Sequence, residues 1–195
     1  MKIAIASSGL GHVSRGIETW ACDTAVALEE VRRETLDVRR AGGVRREEEG
    51  GPFQVTLFCA APSSHLTSHA SRLTIRVIPC YKRGDKLVKL LTRISPRWAW
   101  RWGWTSGYEI EQRSFWRRLW PILRDEGYDI LHVQDPRLAD LCRRYRKAGK
   151  LKTKEILAHG TEEPVEFLEK FDYVQHLAPW HLEQTLGKIE EKRGF

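Results

Sequence analysis

The residues able to do chemistry are concentrated in three short stretches. The first, Ser7-Ser8-Gly9-Leu10-Gly11-His12-Val13-Ser14-Arg15-Gly16, follows an apolar run and combines glycines, hydroxyls, a histidine and an arginine. Glycines let a backbone approach a phosphate closely, and the free N–H groups and partial positive charge at a helix start favour an anion. It is not the dinucleotide fingerprint, because the third glycine is displaced to Gly16 and no acidic residue closes a second strand. Nor does the Gly-Lys-Ser/Thr of a Walker loop follow. A tight strand-to-helix turn with no ligand is the plainer alternative. The other two stretches are Asp129-Ile130-Leu131-His132-Val133-Gln134-Asp135-Pro136 and Ile156-Leu157-Ala158-His159-Gly160-Thr161-Glu162-Glu163, and each brings a histidine to the end of an apolar run. Such a histidine either caps its strand or offers a donor and an acceptor near neutral pH.

Between them lies Ser95-Pro96-Arg97-Trp98-Ala99-Trp100-Arg101-Trp102-Gly103-Trp104, with tryptophan at every second position. If extended, these rings share one face, suited to stacking on sugar rings or to lying at a membrane interface with Arg97 and Arg101 at headgroup level. The plainer expectation is that they pack over the sheet edge against Trp116 and Trp120. Cys22, Cys59, Cys80 and Cys142 lie far apart with no Cys-x-x-Cys pair, and read as small core hydrophobes in a reducing compartment. No Asp-x-Asp or histidine cluster offers a divalent metal site.

The elements that must position these residues follow from hydropathy patterning. Apolar runs predict strands at Lys2–Ala6, Gln54–Ala60, Leu73–Pro79, Tyr128–Val133, Lys154–Ala158 and Tyr173–Leu177. Helical spacing predicts helices over Ile17–Glu30, Ile110–Asp125 despite Pro121, Pro136–Lys147, Glu162–Lys170 and Pro179–Glu191. Strands alternating with helices imply an α/β, Rossmann-like three-layer domain with a mostly parallel sheet. The first loop then sits at the carboxyl edge of that sheet, where open α/β sheets bind ligands. From Val31 to Pro52 the chain is mostly Arg, Glu and Gly, read as a charged insertion: a solvated extension of the first helix followed by a mobile loop.

Composition narrows the classes. The chain has 195 residues, 41% hydrophobic and 30% charged, with a net charge of +7, the balance of one soluble core with anionic partners rather than a disordered or membrane-spanning chain. No run approaches the roughly 20 apolar residues of a spanning helix, and no signal-peptide hydrophobic region opens the chain. A cytoplasmic location is expected. Nucleic acid is not an expected partner, since no nucleic-acid fold accompanies the tryptophan and arginine residues.

Three segments in the same order resemble the family 4 glycosyltransferases, which have the GT-B fold. Gly11-His12-Val13-Ser14-Arg15-Gly16-Ile17-Glu18-Thr19-Trp20 resembles the family's opening loop and helix, with Arg15 where the usual Gly-Gly-Ile/Val-Glu has its first glycine. His132-Val133-Gln134-Asp135-Pro136 resembles a His-x-His-x-Pro segment, with Gln134 in place of the second histidine, and Ala158-His159-Gly160 resembles the strand whose terminal histidine lies in the cleft. The resemblance implies the acceptor-side half of a retaining glycosyltransferase: a single Rossmann-like unit over residues 1–195, half of a GT-B fold, with the donor domain and its Glu-x7-Glu motif absent.

Site roles follow from that resemblance. His159 is the expected catalytic residue, contacting the transferred sugar; Gly11, His12, Ser14, Arg15, Gly16 and His132 are expected to bind donor phosphate or substrate; Trp100 and Trp102 are candidates for acceptor binding. The donor is a nucleotide sugar, the acceptor a glycan or lipid-linked molecule, with no metal and no other cofactor. Peripheral membrane contact, and a donor domain in cis or in trans, complete the expected partners. Alone, the chain is expected to transfer little or nothing. The rivals are a non-catalytic module binding sugar, nucleotide or anionic lipid with a partner chain, and an ordinary nucleotide-dependent Rossmann enzyme.

Overall fold

The computed structural model describes residues 1–13, 16–41, 53–62, 73–94, 106–160 and 163–193. Ser14, Arg15, the tryptophan-rich stretch with Trp100 and Trp102, and the loop expected after the first helix lie outside the described residues. The strands are β1 (Lys2–Ser7), β2 (Gln54–Cys59), β3 (Thr74–Val77), β4 (Ile130–Val133), β5 (Lys154–His159) and β6 (Val174–His176). The helices are α1 (Gly16–Ala41), α2 (Lys86–Ile94), α3 (Gly107–Asp125), α4 (Pro136–Lys147), α5 (Val165–Leu168) and α6 (Pro179–Arg193). The strands form one parallel sheet in the order β3-β2-β1-β4-β5-β6. This is the expected Rossmann-like three-layer architecture.

A parallel sheet covered on both faces needs strands that are apolar on both sides. Ile3, Ala4, Ile5 and Ala6 meet that need in β1, as do Val55, Leu57, Phe58 and Cys59 in β2, all buried. On one face Ala4, Ala6, Phe58, Leu131 and Val133 pack with Phe115, Trp116 and Leu119 of α3 and Leu138 of α4. On the other, Ile3, Ile5, Val55 and Leu57 pack with Ala21 and Ala25 of α1. Small alanines at the helix-facing positions let the helix approach the sheet closely.

Several boundaries differ from the sequence expectation for local reasons. Helix α3 begins at Gly107 because Ser106 caps it: its Oγ accepts from the Glu109 N–H at 3.2 Å, the first half of a Ser-x-x-Glu capping box. Helix α5 is a single turn, since Pro164 disfavours a helical conformation in the residue before it. Helix α1 does extend into the charged segment, to Ala41, with Glu29 gripping Arg32 at 2.6 Å and Arg33 at 3.4 Å. Helix α2 was not anticipated, although Leu87, Leu90, Leu91 and Ile94 have helical spacing. The four cysteines are free. Trp116 is a core residue, edge-on to Tyr145 at 5.3 Å, and Trp120 contacts the same ring at 5.1 Å. Among the described residues no helix is long and apolar enough to cross a membrane.

Candidate functional site at the carboxyl edge of the sheet

The strand order reverses between β1 and β4. The chain runs outward from β1 to β2 and β3, then returns to lay β4 on the other side of β1. In open α/β sheets the crevice beyond the carboxyl ends of such a pair is the ligand position. Here it is bordered by the loop after β1 and the turn from β4 into α4.

The loop after β1 folds back on itself, the His12 and Val13 N–H groups donating to the Gly9 carbonyl at 3.2 and 3.0 Å. The Leu10 carbonyl accepts from Ala60 and Ala61, both at 3.2 Å, which fastens the loop to the end of β2. Gly11 has φ +96°, and a Cβ there would lie 2.0 Å from the Ala61 carbonyl oxygen. Its glycine is therefore demanded by the turn itself. Gly16 does not have positive φ; it opens α1 and is exposed, and among the described residues nothing beyond its chain neighbours and its own helix backbone lies within 4 Å of the position a Cβ would take. The backbone constraint of the loop therefore lies at Gly11 and not at Gly16.

Beside the loop is a buried charge network. Glu111, on α3, has a fully buried side chain. Its carboxylate accepts from the Arg83 backbone N–H at 2.9 Å and from the Arg83 guanidinium at 2.7 and 3.1 Å, and Ser8 Oγ, 3.3 Å from both Glu111 and Asp135, has one proton to donate to either. The His12 Nε2 lies 2.9 Å away. Asp135, at the end of β4, accepts from Ser8 N–H at 3.2 Å, Gln112 Nε2 at 2.8 Å and Tyr108 Oη at 3.0 Å, with Ser8 Oγ at 3.3 Å. Burial works against the Glu111 charge, but the Arg83 and His12 contacts overcome it and hold its carboxyl below the usual range. Complete burial pushes Asp135 the other way, above its usual range despite its donors, with the Glu111 charge adding to the push. Environment thus pushes two neighbouring carboxyls in opposite directions.

A second cluster lies along the same edge. His159 ends β5 and is buried; its Nδ1 stands 3.2 Å from Nδ1 of His176 at the end of β6. In a hydrogen bond between the two, one Nδ1 donates and the other accepts. His181, in the first turn of α6, places its ring centroid 5.0 Å from that of His159. Burial, then the nearby His181, lowers the pKa of His176. Gly160, next to His159, is closely packed: a Cβ there would sit 2.4 Å from Nε2 of Gln134 and 2.9 Å from Cδ1 of Leu177. His132 is turned toward the α1 face, edge-on to Trp20 at 5.0 Å with Nε2 2.7 Å from Gln175 Oε1. Burial lowers its pKa, partly offset by that hydrogen bond.

No family model, curated protein or solved structure matches this chain. Its site is therefore read from its own residues. The structure gathers Gly11, His12 and Gly16 around the first loop and sets His159 at the edge of β5, while His132 is engaged within the α1-facing layer. Sequence reasoning missed Arg83, Tyr108, Glu111 and Gln112. Glu111 and Gln112 stand four residues before Phe115 and Trp116, so polar groups on the buried stripe of α3 were the signal that could have found two of them. Among the described residues no group of three or more His, Cys, Asp and Glu side chains is arranged to hold a metal. Two hollows of about 400 Å³ are lined by other residues: one at the amino ends of the strands, bordered by Lys2, Arg76 and Glu126, the other beside α2.

Proposed function

We propose that this chain is the acceptor-side half of a retaining glycosyltransferase, one wall of a GT-B cleft that works joined to or paired with a donor-binding domain. The observation that carries the reading is the placement of the first loop, leading into α1 at Gly16, and of His159 at the same carboxyl edge, with β4 and the strand-order reversal between them. In this reading a nucleotide sugar lies across that edge. The bond from the sugar C1 to the departing diphosphate breaks, the acceptor oxygen bonds to C1 on the same face, and the acceptor proton passes to a diphosphate oxygen. The Gly16 N–H and the positive end of α1 stabilise the diphosphate, and Arg15 adds charge. His159, held beside His176, hydrogen-bonds the sugar near the reacting carbon. Glu111 and Arg83 keep His12 and Ser8 in place, so that the loop is rigid before the donor arrives. The acceptor is a glycan or a lipid-linked molecule.

Nuclear magnetic resonance titration of the 195-residue chain with nucleoside diphosphates and nucleotide sugars tests the site. Movement of the Gly11 and Gly16 amide signals and of the His159 ring signals is expected at millimolar ligand. A spectrum silent to all of them, or one that responds only to a nicotinamide dinucleotide, overturns the reading. Joined to a donor-binding domain, His159→Ala is expected to cut turnover by about a hundredfold with the fold intact. Unchanged turnover removes His159 from the mechanism.

A further inference from the structure

Helix α2 reads Lys86-Leu87-Val88-Lys89-Leu90-Leu91-Thr92-Arg93-Ile94. Helical spacing sets Lys86, Lys89 and Arg93 on one arc and the leucines on the adjoining one. Val88 anchors the helix at 1% exposure, yet Leu87 and Leu90 are each 52% exposed. Two half-exposed leucines bordered by three cations give the helix an amphipathic outer face. Next to them a groove of about 400 Å³ runs between α2, α3 and α4, lined by Tyr81, Leu87, Leu91 and Tyr145 together with Arg113 and Arg117. Tyr81 is itself 54% exposed. From Lys82 to Ile94 the only acid is Asp85, against Lys82, Arg83, Lys86, Lys89 and Arg93, of which Arg83 is already held by Glu111.

We propose that this face docks the chain on an anionic lipid bilayer. Leucines beside lysines and arginine are the arrangement of a helix lying in the plane of a membrane interface, its apolar side at the acyl boundary and its cations among the phosphates. Leu87 and Leu90 enter that boundary, Lys86, Lys89 and Arg93 meet the headgroups, and the groove receives a lipid headgroup with its phosphate toward Arg113 and Arg117. Tyr81 and Tyr145 suit the same level, being apolar in body and polar at the tip. A second copy of the chain is a poorer occupant, because a symmetric pairing sets these cations against their own counterparts. The inference gives the peripheral membrane contact expected with the transferase reading a place in the fold, and vesicle binding and the nucleotide titration can fail separately.

Co-sedimentation of the whole chain with vesicles tests it. Binding is expected to vesicles containing phosphatidylglycerol and not to pure phosphatidylcholine, and Leu87→Ser with Leu90→Ser is expected to lower the partition coefficient about tenfold or more. Lys86→Glu with Lys89→Glu gives a second variant at exposed positions, expected to lose about as much. Thermal unfolding of both variants should match that of the parent chain. The proposal is overturned by equal binding to both vesicle types, by binding to neither, or by undiminished binding of both variants. Loss of binding in Trp100→Ser with Trp102→Ser, while the leucine variant binds normally, overturns it too. So does a dimer of the parent chain that the leucine variant dissociates.

Discussion

Arg83→Met removes the guanidinium from a carboxylate that has no exposed surface. Glu111 loses contacts at 2.7 and 3.1 Å and keeps the Arg83 backbone N–H, His12 and Ser8. Breaking a buried ion pair from one side costs about 3–5 kcal/mol. The Arg83 side chain is 23% exposed, and these other contacts to the carboxylate remain, so the expected loss sits at the lower end, about 3 kcal/mol. That is more than a hundredfold in the folding equilibrium, and a large part of a stability of roughly 5–15 kcal/mol. Glu111→Leu alone strands Arg83 and His12. Arg83→Met together with Glu111→Leu removes both charges, and such apolar replacements are often close to neutral. The sum of the single losses should therefore exceed the loss in the double variant by about 2 kcal/mol or more. Urea unfolding followed by tryptophan fluorescence gives these values by linear extrapolation, and the coupling should persist in high salt because buried pairs are poorly screened. A loss under about 0.5 kcal/mol for Arg83→Met, or strict additivity, refutes the reasoning.

The two loop glycines should respond oppositely. Gly11→Ala meets both a positive φ and the Ala61 carbonyl and should cost about 2 kcal/mol or more, whereas Gly16→Ala should change urea stability by less than about 0.5 kcal/mol. Equal costs would mean that the turn is not held as described. The histidines give a pH dependence. His132 and His176 have folded pKa values lowered by burial, so below the unfolded value near 6.5 the unfolded chain binds the extra protons. Their contribution is present above that pH and lost as pH falls through it. Urea unfolding between neutral pH and about pH 5 should show a shallower acid loss in His176→Asn than in the parent chain, and identical slopes would remove His176 from the effect.

The layer architecture was legible because a parallel sheet writes itself as apolar runs, such as Ile3–Ala6 and Val55–Cys59, each followed by a helical pattern. The strand order was not, since no local pattern says that β4 lies against β1 rather than β3. Helix α2 escaped because its exposed leucines mix with lysines over only 9 residues. At the site, Gly11, His12 and His159 stand in recognisable contexts at strand ends. Their partners do not: Glu111 is 99 residues from His12 and 28 from Arg83, and periodicity reports only neighbours along the chain. The glycine logic was also divided differently, with positive φ at Gly11 and not at Gly16.

The middle of the sheet has a consequence for how the chain is born. β1 is synthesised first, yet its neighbour β4 emerges far later, and the contacts that seal their junction, Lys2 to Asp129 and Ser8 to Asp135, each span 127 residues. Until then β1 has one side paired with β2 and the other side open, an unpaired edge of the kind that recruits foreign strands. Closing it carries the entropy of a long loop and belongs to the slow, non-local class of folding events. Nascent chains stalled before residue 135 should therefore be the aggregation-prone species. The candidate site is assembled by the same late closure, because Ser8 meets Asp135 there.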